Sequence, residues 1–227
     1  GGGAPAELPS GSAGRPLVVP EFAQSPSPVP ACEQTDGSDH EGMSAARTRL
    51  LQTAGQLFGE RGYECVGINE VIAKADIAKA TFYQHFPSKE ALCAAWLRDQ
   101  ATAAEADQRE LLERDAPLDD KVAAWFDRTL DWARTSGFHG CPFCVTASMV
   151  PSDSSVAEVI RDYRVASRAF WQSLALESGL KPGPARDLGD AWMLLMTGGV
   201  TESRNLRALW PLEQARKAAL ALCPVPA

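Results

Sequence analysis

Apolar residues recur at helical spacing in short runs that begin near Met43. Leu50, Leu51, Ala54, Leu57 and Phe58 share one helical face, and Gly62 stands where the chain would leave that helix. Ile68, Val71, Ile72 and Ala75 repeat the pattern over barely two turns, and a break at Asp76-Ile77 follows. From Ala78 a third segment turns Phe82 and Phe86 inward and carries Lys79, Thr81, Tyr83, Gln84 and His85 on its polar sides, until Pro87 stops it. Two short helices joined by a tight turn, the second rich in hydrogen-bonding side chains, form the pattern of a helix-turn-helix. Its second helix lies in the major groove of DNA.

The periodicity continues to the end of the chain. Ser88 is placed to cap a fourth helix, with Glu90 in its first turn and Leu92, Ala95, Trp96, Ala103, Leu111 and Leu112 along it. Pro117 opens a fifth, with Leu118, Val122, Trp125, Phe126, Thr129 and Ala133 inward, ending near Gly137. A short sixth starts at Gly140-Cys141-Pro142, and Pro151 closes it. Asp153 is the expected cap of a seventh, which buries Val156, Val159, Ile160, Tyr163, Phe170 and Leu174 and stops at Ser178-Gly179. An eighth runs from about Pro184 to Ser203 and a ninth from Pro211 to Leu222. Strand-like alternation is missing throughout, so the predicted fold is all-α with about nine helices: an N-terminal helix-turn-helix domain and a C-terminal helical bundle.

Composition adjusts this picture in two places. Residues 1–42 hold seven of the sixteen Pro and seven of the eighteen Gly, without periodicity. They read as an unstructured tail or an appended extension ahead of Met43. The formal charge of −7 argues at first against DNA binding. Residues 1–42 carry one Arg against six acids, however, so −5 of that charge sits there and −2 remains for the rest. Met43–Glu90 has six basic and five acidic residues, a net +1. Such a balance suits a protein that touches few phosphates through local Lys and Arg. No run of about 18 apolar residues exists, so no membrane partner is expected.

The run IAKATFYQHFPSKEAL, within Arg47 to Leu97, resembles the DNA-binding signature of the tetracycline-repressor (TetR) family. The aromatic pair Phe82-Tyr83, then His85-Phe86, then Ser88-Lys89-Glu90 all hold the family register. Four positions depart from it. Asp76 replaces the usual turn Gly, and Asp tolerates the left-handed conformation better than most residues. Ala78 replaces a capping Ser, Val66 replaces a Thr before the second helix, and Ala80 replaces a frequent Gly. The resemblance implies a ligand-responsive homodimeric repressor that binds a palindromic double-stranded operator and lets go when a small, mainly apolar effector binds. The expected DNA-binding residues are Lys79, Ala80, Thr81, Tyr83, Gln84 and His85, with Arg47 and Lys89 on the phosphates.

The same resemblance implies that the last two helices form the dimer interface. The run Ala191–Val200 of the eighth helix is apolar nearly all round, which suits burial on both sides. Trp192, Met196, Gly199 and the ninth helix are the expected contacts. A cavity among the fourth to eighth helices is implied for the effector, and Trp96, Trp125, Phe143, Cys144, Tyr163 and Trp192 are the expected wall. The division is then 43–90 for DNA binding and 91–227 for effector binding and dimerisation.

Catalytic chemistry is poorly supplied. The three histidines (His40, His85 and His139) have no partners at catalytic spacing, and there is no phosphate-binding Gly loop or nucleophile elbow. No catalytic residue, metal or cofactor is expected, and a small-molecule enzyme is the remote alternative. Cys141-Pro142-Phe143-Cys144 has the spacing of a dithiol redox site, which resembles a glutaredoxin active site locally. Its neighbours are helical, whereas that fold needs a strand before the motif. A thiol-based redox-sensing regulator is therefore the alternative reading, beside cysteines that merely line a core. Six cysteines without a spacing pattern suit a reducing cytoplasm.

Overall fold

A computed structural model describes residues 37–224, and every regular element among them is an α-helix. In chain order they are α1 (Gly37–Arg61), α2 (Ile68–Lys74), α3 (Lys79–His85), α4 (Lys89–Glu113), α5 (Leu118–Thr135), α6 (Pro142–Ala147), α7 (Ser155–Leu176), α8 (Pro182–Leu206) and α9 (Trp210–Ala221). The tail expected over residues 1–42 lies outside the described residues as far as Asp36, and α1 already runs from Gly37. None of these helices is long and apolar enough to cross a membrane.

The breaks between helices have local causes. Gly62 takes φ +84° at the end of α1, and its N–H donates to the Phe58 carbonyl at 2.9 Å. Asp76 turns the chain between α2 and α3 at φ 51°, a left-handed conformation that Asp accepts more readily than most residues. Ser88 caps α4, its Oγ accepting from the Ala91 N–H at 3.0 Å. The cap of α7 is Ser154 rather than Asp153. Its Oγ accepts from the Ala157 N–H at 3.1 Å, while Asp153 stays exposed. Ala103 likewise faces solvent, one step off the buried stripe of α4.

Two apolar cores form. The first gathers Leu50, Ala54, Leu57 and Phe58 of α1, Val71 of α2, Phe82 of α3 and Leu92, Trp96 and Leu97 of α4. It extends to Phe143 of α6 and to Val156, Val159 and Ile160 of α7. The second joins Leu111 of α4, Val122 and Phe126 of α5, Phe170, Trp171 and Leu174 of α7, Trp192 and Val200 of α8, and Leu212 and Ala219 of α9. Cys141 packs against both cores. The unit that carries α3 therefore shares its core with the beginning of α6 and α7.

A polar tie reinforces that junction. The Glu90 carboxylate accepts from the Ser155 N–H at 2.9 Å and from the Ser155 hydroxyl at 2.7 Å. The first turn of α4 thereby holds the first turn of α7.

Candidate functional site

The recognition segment is built as the periodicity requires. Phe82 and Phe86 are buried, whereas Lys79, Ala80, Tyr83 and Gln84 are exposed and Thr81 is half-exposed. One side of α3 is thus anchored by two aromatic rings, and the other presents an ammonium, a phenol, an amide and a hydroxyl to solvent. Ala78 has the extended backbone of a cap, φ −63° and ψ 142°, but no side chain to cap with. His85 departs from the expected role. Its Nε2 is buried and has no hydrogen-bond partner, so this atom points into the domain and not towards a phosphate.

The two expected phosphate contacts flank α3 and rest on aromatic rings. The Arg47 guanidinium lies 5.7 Å from the Phe86 ring centroid, and the Lys89 ammonium lies 4.1 Å from that of Tyr63. Such contacts hold a long cationic side chain over a π face while its charge stays available.

The expected effector wall does not come together as one surface. Trp96 is 8% exposed, lies 5.7 Å from Phe58 and fills the space beside Gly55 in the first core. Trp192 is wholly buried in the second core and donates its Nε1–H to the Ala219 carbonyl at 2.9 Å. That bond makes Trp192 a fixed strut between α8 and α9 of one chain, neither a dimer contact nor an accessible wall. Trp125 packs on Phe170 at 5.2 Å, on the same second core. Phe143 and Tyr163 belong with Trp96 to the first core, and Trp125 and Trp192 to the second. The Phe143 and Tyr163 rings stack at 3.6 Å with 9° between their planes, and Arg164 lies close to Cys144.

The thiols beside this stack differ in character. Cys141 is the N-cap residue of α6 and Cys144 lies in its first turn, three positions on, so the two thiols influence each other. The Cys141 thiol, helped by the Arg164 charge, lowers the Cys144 thiol to about 6 in spite of its partial burial. The Cys141 thiol is pushed well above its usual range, first by Cys144 and then by burial. Cys144 is therefore the thiol of the pair that ionises first. Elsewhere burial pushes the Cys93 thiol up to about 12. Among the described residues no group of His, Cys, Asp or Glu is arranged to hold a metal ion.

Gly199 also takes a different place from the expected one. A Cβ there would lie 2.9 Å from the Ala215 Cβ and 3.1 Å from the Leu212 Cα, so it serves the contact of α8 with α9 inside one chain. The outward glycine is Gly198, which has open space before it. Leu194 of the apolar Ala191–Val200 run and Trp210, which sequence reasoning missed, are 68% and 56% exposed and line an open apolar groove with Ala191, Leu195, Gly198 and Ala218.

The model of the bacterial regulatory proteins of the tetR family matches residues 50–96, the span from the α1 core face through Trp96. That span is similar to the DNA-binding region of tetR-family regulators. Similar curated proteins include the HTH-type transcriptional repressor NemR of Escherichia coli, 27% identical over 177 residues, which are 74% of this chain and 89% of that protein. The transposon Tn10 TetC protein of Escherichia coli is 37% identical over 60 residues, 26% of this chain and 30% of that protein. Among solved structures, reduced Escherichia coli NemR superposes with a TM-score of 0.70 at 23% identity, covering 80% of this chain and 98% of that one. A TetR-family transcriptional regulator from Streptomyces coelicolor gives 0.67 at 24% identity, covering 78% and 97%. At these identities the structural likenesses establish the TetR-type helical fold.

Proposed function

We propose that this chain is a TetR-family regulator, a homodimeric repressor in which residues 43–90 bind an operator and residues 91–227 dimerise and receive a small effector. The observation that carries the reading is the division of α3 into a buried aromatic side and an exposed hydrogen-bonding side. The exposed side offers the Lys79 ammonium, the Tyr83 phenol and the Gln84 amide together as hydrogen-bonding groups for a partner. In this reading Lys79, Ala80, Thr81, Tyr83 and Gln84 face the groove, and Arg47 and Lys89 hold phosphates. His85 supports α3 from within. The repressor sense is supported by the name of the NemR relative.

The effector reading narrows to the region of Phe143, Cys144 and Tyr163. Phe143 and Tyr163 stack there, and Tyr163 and Cys144 are only partly buried. An effector acts on DNA binding only if it prefers one of two states, and a hundredfold preference is worth about 2.7 kcal/mol of coupling.

The test is selection of bound duplexes from a random pool by the purified chain, followed by binding at several salt concentrations. One palindromic consensus is expected. Gln84→Ala should change the preferred bases, and Lys89→Ala should lower affinity for all duplexes and reduce the salt slope by about 1. Failure to enrich any sequence would overturn the reading.

A further inference from the structure

The Cys141–Cys144 pair sits where the two cores meet, and the loop leading into it is strained. Gly137, Phe138 and Gly140 take φ of +72°, +63° and +81° in close succession. Left-handed φ is free for glycine but strained for an aromatic residue such as Phe138. The Ser136 hydroxyl at the start of this loop is buried without a hydrogen-bond partner. Arg204 of α8 holds the loop, donating from Nε to the His139 carbonyl at 3.0 Å and packing against Gly140. On its other side the segment touches the end of α1. The His139 ring faces Gly59 and the Met149 side chain faces Gly62. A loop under strain is thus pinned between α8 and the DNA-binding unit, with a dithiol at its end.

From this arrangement we infer that Cys141 and Cys144 are a reversible oxidation site: a hydroperoxide converts them into an intramolecular disulfide, and the change loosens the contact of the 136–149 segment with α1. Cys141 is the N-cap residue of α6 and Cys144 lies in its first turn, so closing the bond needs only a local approach of two side chains three positions apart. The Cys144 thiolate attacks the terminal oxygen of the hydroperoxide. The O–O bond breaks, Cys144 becomes a sulfenic acid, and the alkoxide leaves and takes a proton from water. The Cys141 sulfur then attacks the Cys144 sulfur. The S–O bond breaks, and the departing hydroxide combines with the Cys141 proton as water. The two sulfurs are oxidised by two electrons and the peroxide is reduced to an alcohol. The Arg164 charge favours the attacking Cys144 thiolate, while among the other described thiols none has such a pair; Cys93 is buried and held protonated. The thiol chemistry stands without the DNA-binding reading. Only its consequence for the operator rests on that reading.

The probe is cumene hydroperoxide, added at one equivalent to the full reduced chain. Alkylation and peptide mapping follow, with hydrogen exchange measured on the same samples. The Cys141–Cys144 peptide should lose the mass of two hydrogens in most chains and resist alkylation until dithiothreitol is added, while Cys65, Cys93 and Cys223 stay alkylatable. Cys141→Ser should instead accumulate a Cys144 sulfenic acid trapped by dimedone, and Cys144→Ser should give neither product. Amides at the C-terminal end of α1 should exchange at least fivefold faster in the oxidised chain. Oxidation that begins at another cysteine, cross-linking between chains, or a trapped sulfenic acid at Cys141 would overturn the site. A disulfide that forms with α1 exchange unchanged would overturn the coupling. A reduced chain that selects no DNA, while the disulfide forms as expected, would count against the operator reading alone.

Discussion

At Gly189 the absence of one methyl group sets the distance between two helices. A Cβ there would lie 2.7 Å from the Gln172 Cα and N and from the Trp171 carbonyl oxygen, all backbone atoms of α7. Backbone cannot step aside as a flexible side chain can. Just beside this contact Asp190 accepts from Arg168 at 2.7 and 2.6 Å and from Gln172 at 2.8 Å, and the Arg168 bond lowers its carboxyl to about 2. These bonds have their short reach because Gly189 lets the helices close. Gly189→Ala is therefore expected to cost about 1–3 kcal/mol, the usual range for overpacking. Urea unfolding measures it, and a cost within the error of the wild-type value would show that α7 and α8 can part freely. Lys121 makes a related point about burial. Its ammonium is almost fully enclosed, yet it meets the Glu177 carboxylate at 2.7 Å and the Leu112 carbonyl at 2.9 Å, so nothing in its environment is left unpaired.

Among the elements, α3 and α4 show what the sequence could and could not reveal. The break at Asp76, the cap at Ser88 and the inward pair Phe82-Phe86 were all legible, because each depends on neighbours within one or two turns. Ala78 was legible as a lost cap, and it gives a direct test. Ala78→Ser should stabilise the chain by about 0.5–1 kcal/mol in urea unfolding, since the backbone is already extended there and the residue is exposed. No gain would mean that α3 draws its stability from the Phe82 and Phe86 anchors alone. The tie from Glu90 to Ser155 was not legible, because the partners lie 65 positions apart and periodicity says nothing about which helix ends meet. The sites of Trp96 and Trp192 were illegible for the same reason: an aromatic residue on an inward face packs a core or lines a cavity according to its neighbours in space. The Glu90 tie carries a pH signature. The Ser155 hydroxyl, and then the Ser155 N–H, lower the Glu90 carboxyl below its ordinary value. A lowered carboxylate contributes stability that is present above the unfolded-state value and is lost as pH falls through the folded one. The stability difference between wild type and Glu90→Gln should therefore shrink on acidification below the ordinary Glu range. A difference that stays constant through that range would mean that the carboxylate charge plays no part in holding α7.

On the scale of the whole molecule, the groove on α8 and α9 is the surface proposed for assembly. Leu194 and Trp210 stand 68% and 56% exposed on it, beside Ala191, Leu195 and Gly198. Surface apolar residues are common singly, but a contiguous set on two adjacent helices calls for a cover. A second copy of the chain is the cover proposed here. The same groove on each copy meets itself about a two-fold axis, and two recognition helices then reach half-sites one helical turn of DNA apart, about 34 Å. Leu194→Glu should turn the dimer into a monomer without unfolding it, since the side chain touches little of its own chain. A shift of about 100-fold or more in the dimer dissociation constant corresponds to about 2.7 kcal/mol, within reach of one central apolar anchor replaced by a charge. Gly199→Glu is the informative contrast. Its side chain would strike Ala215 and Leu212 of the same chain, so it should lower the melting temperature and disturb the helices rather than split an intact dimer. Sedimentation and far-ultraviolet circular dichroism on both variants separate the outcomes. If Leu194→Glu remains a dimer while Gly199→Glu is a well-folded monomer, the interface does not run through this groove. A wild-type chain that is monomeric at micromolar concentration would exclude the two-fold arrangement altogether.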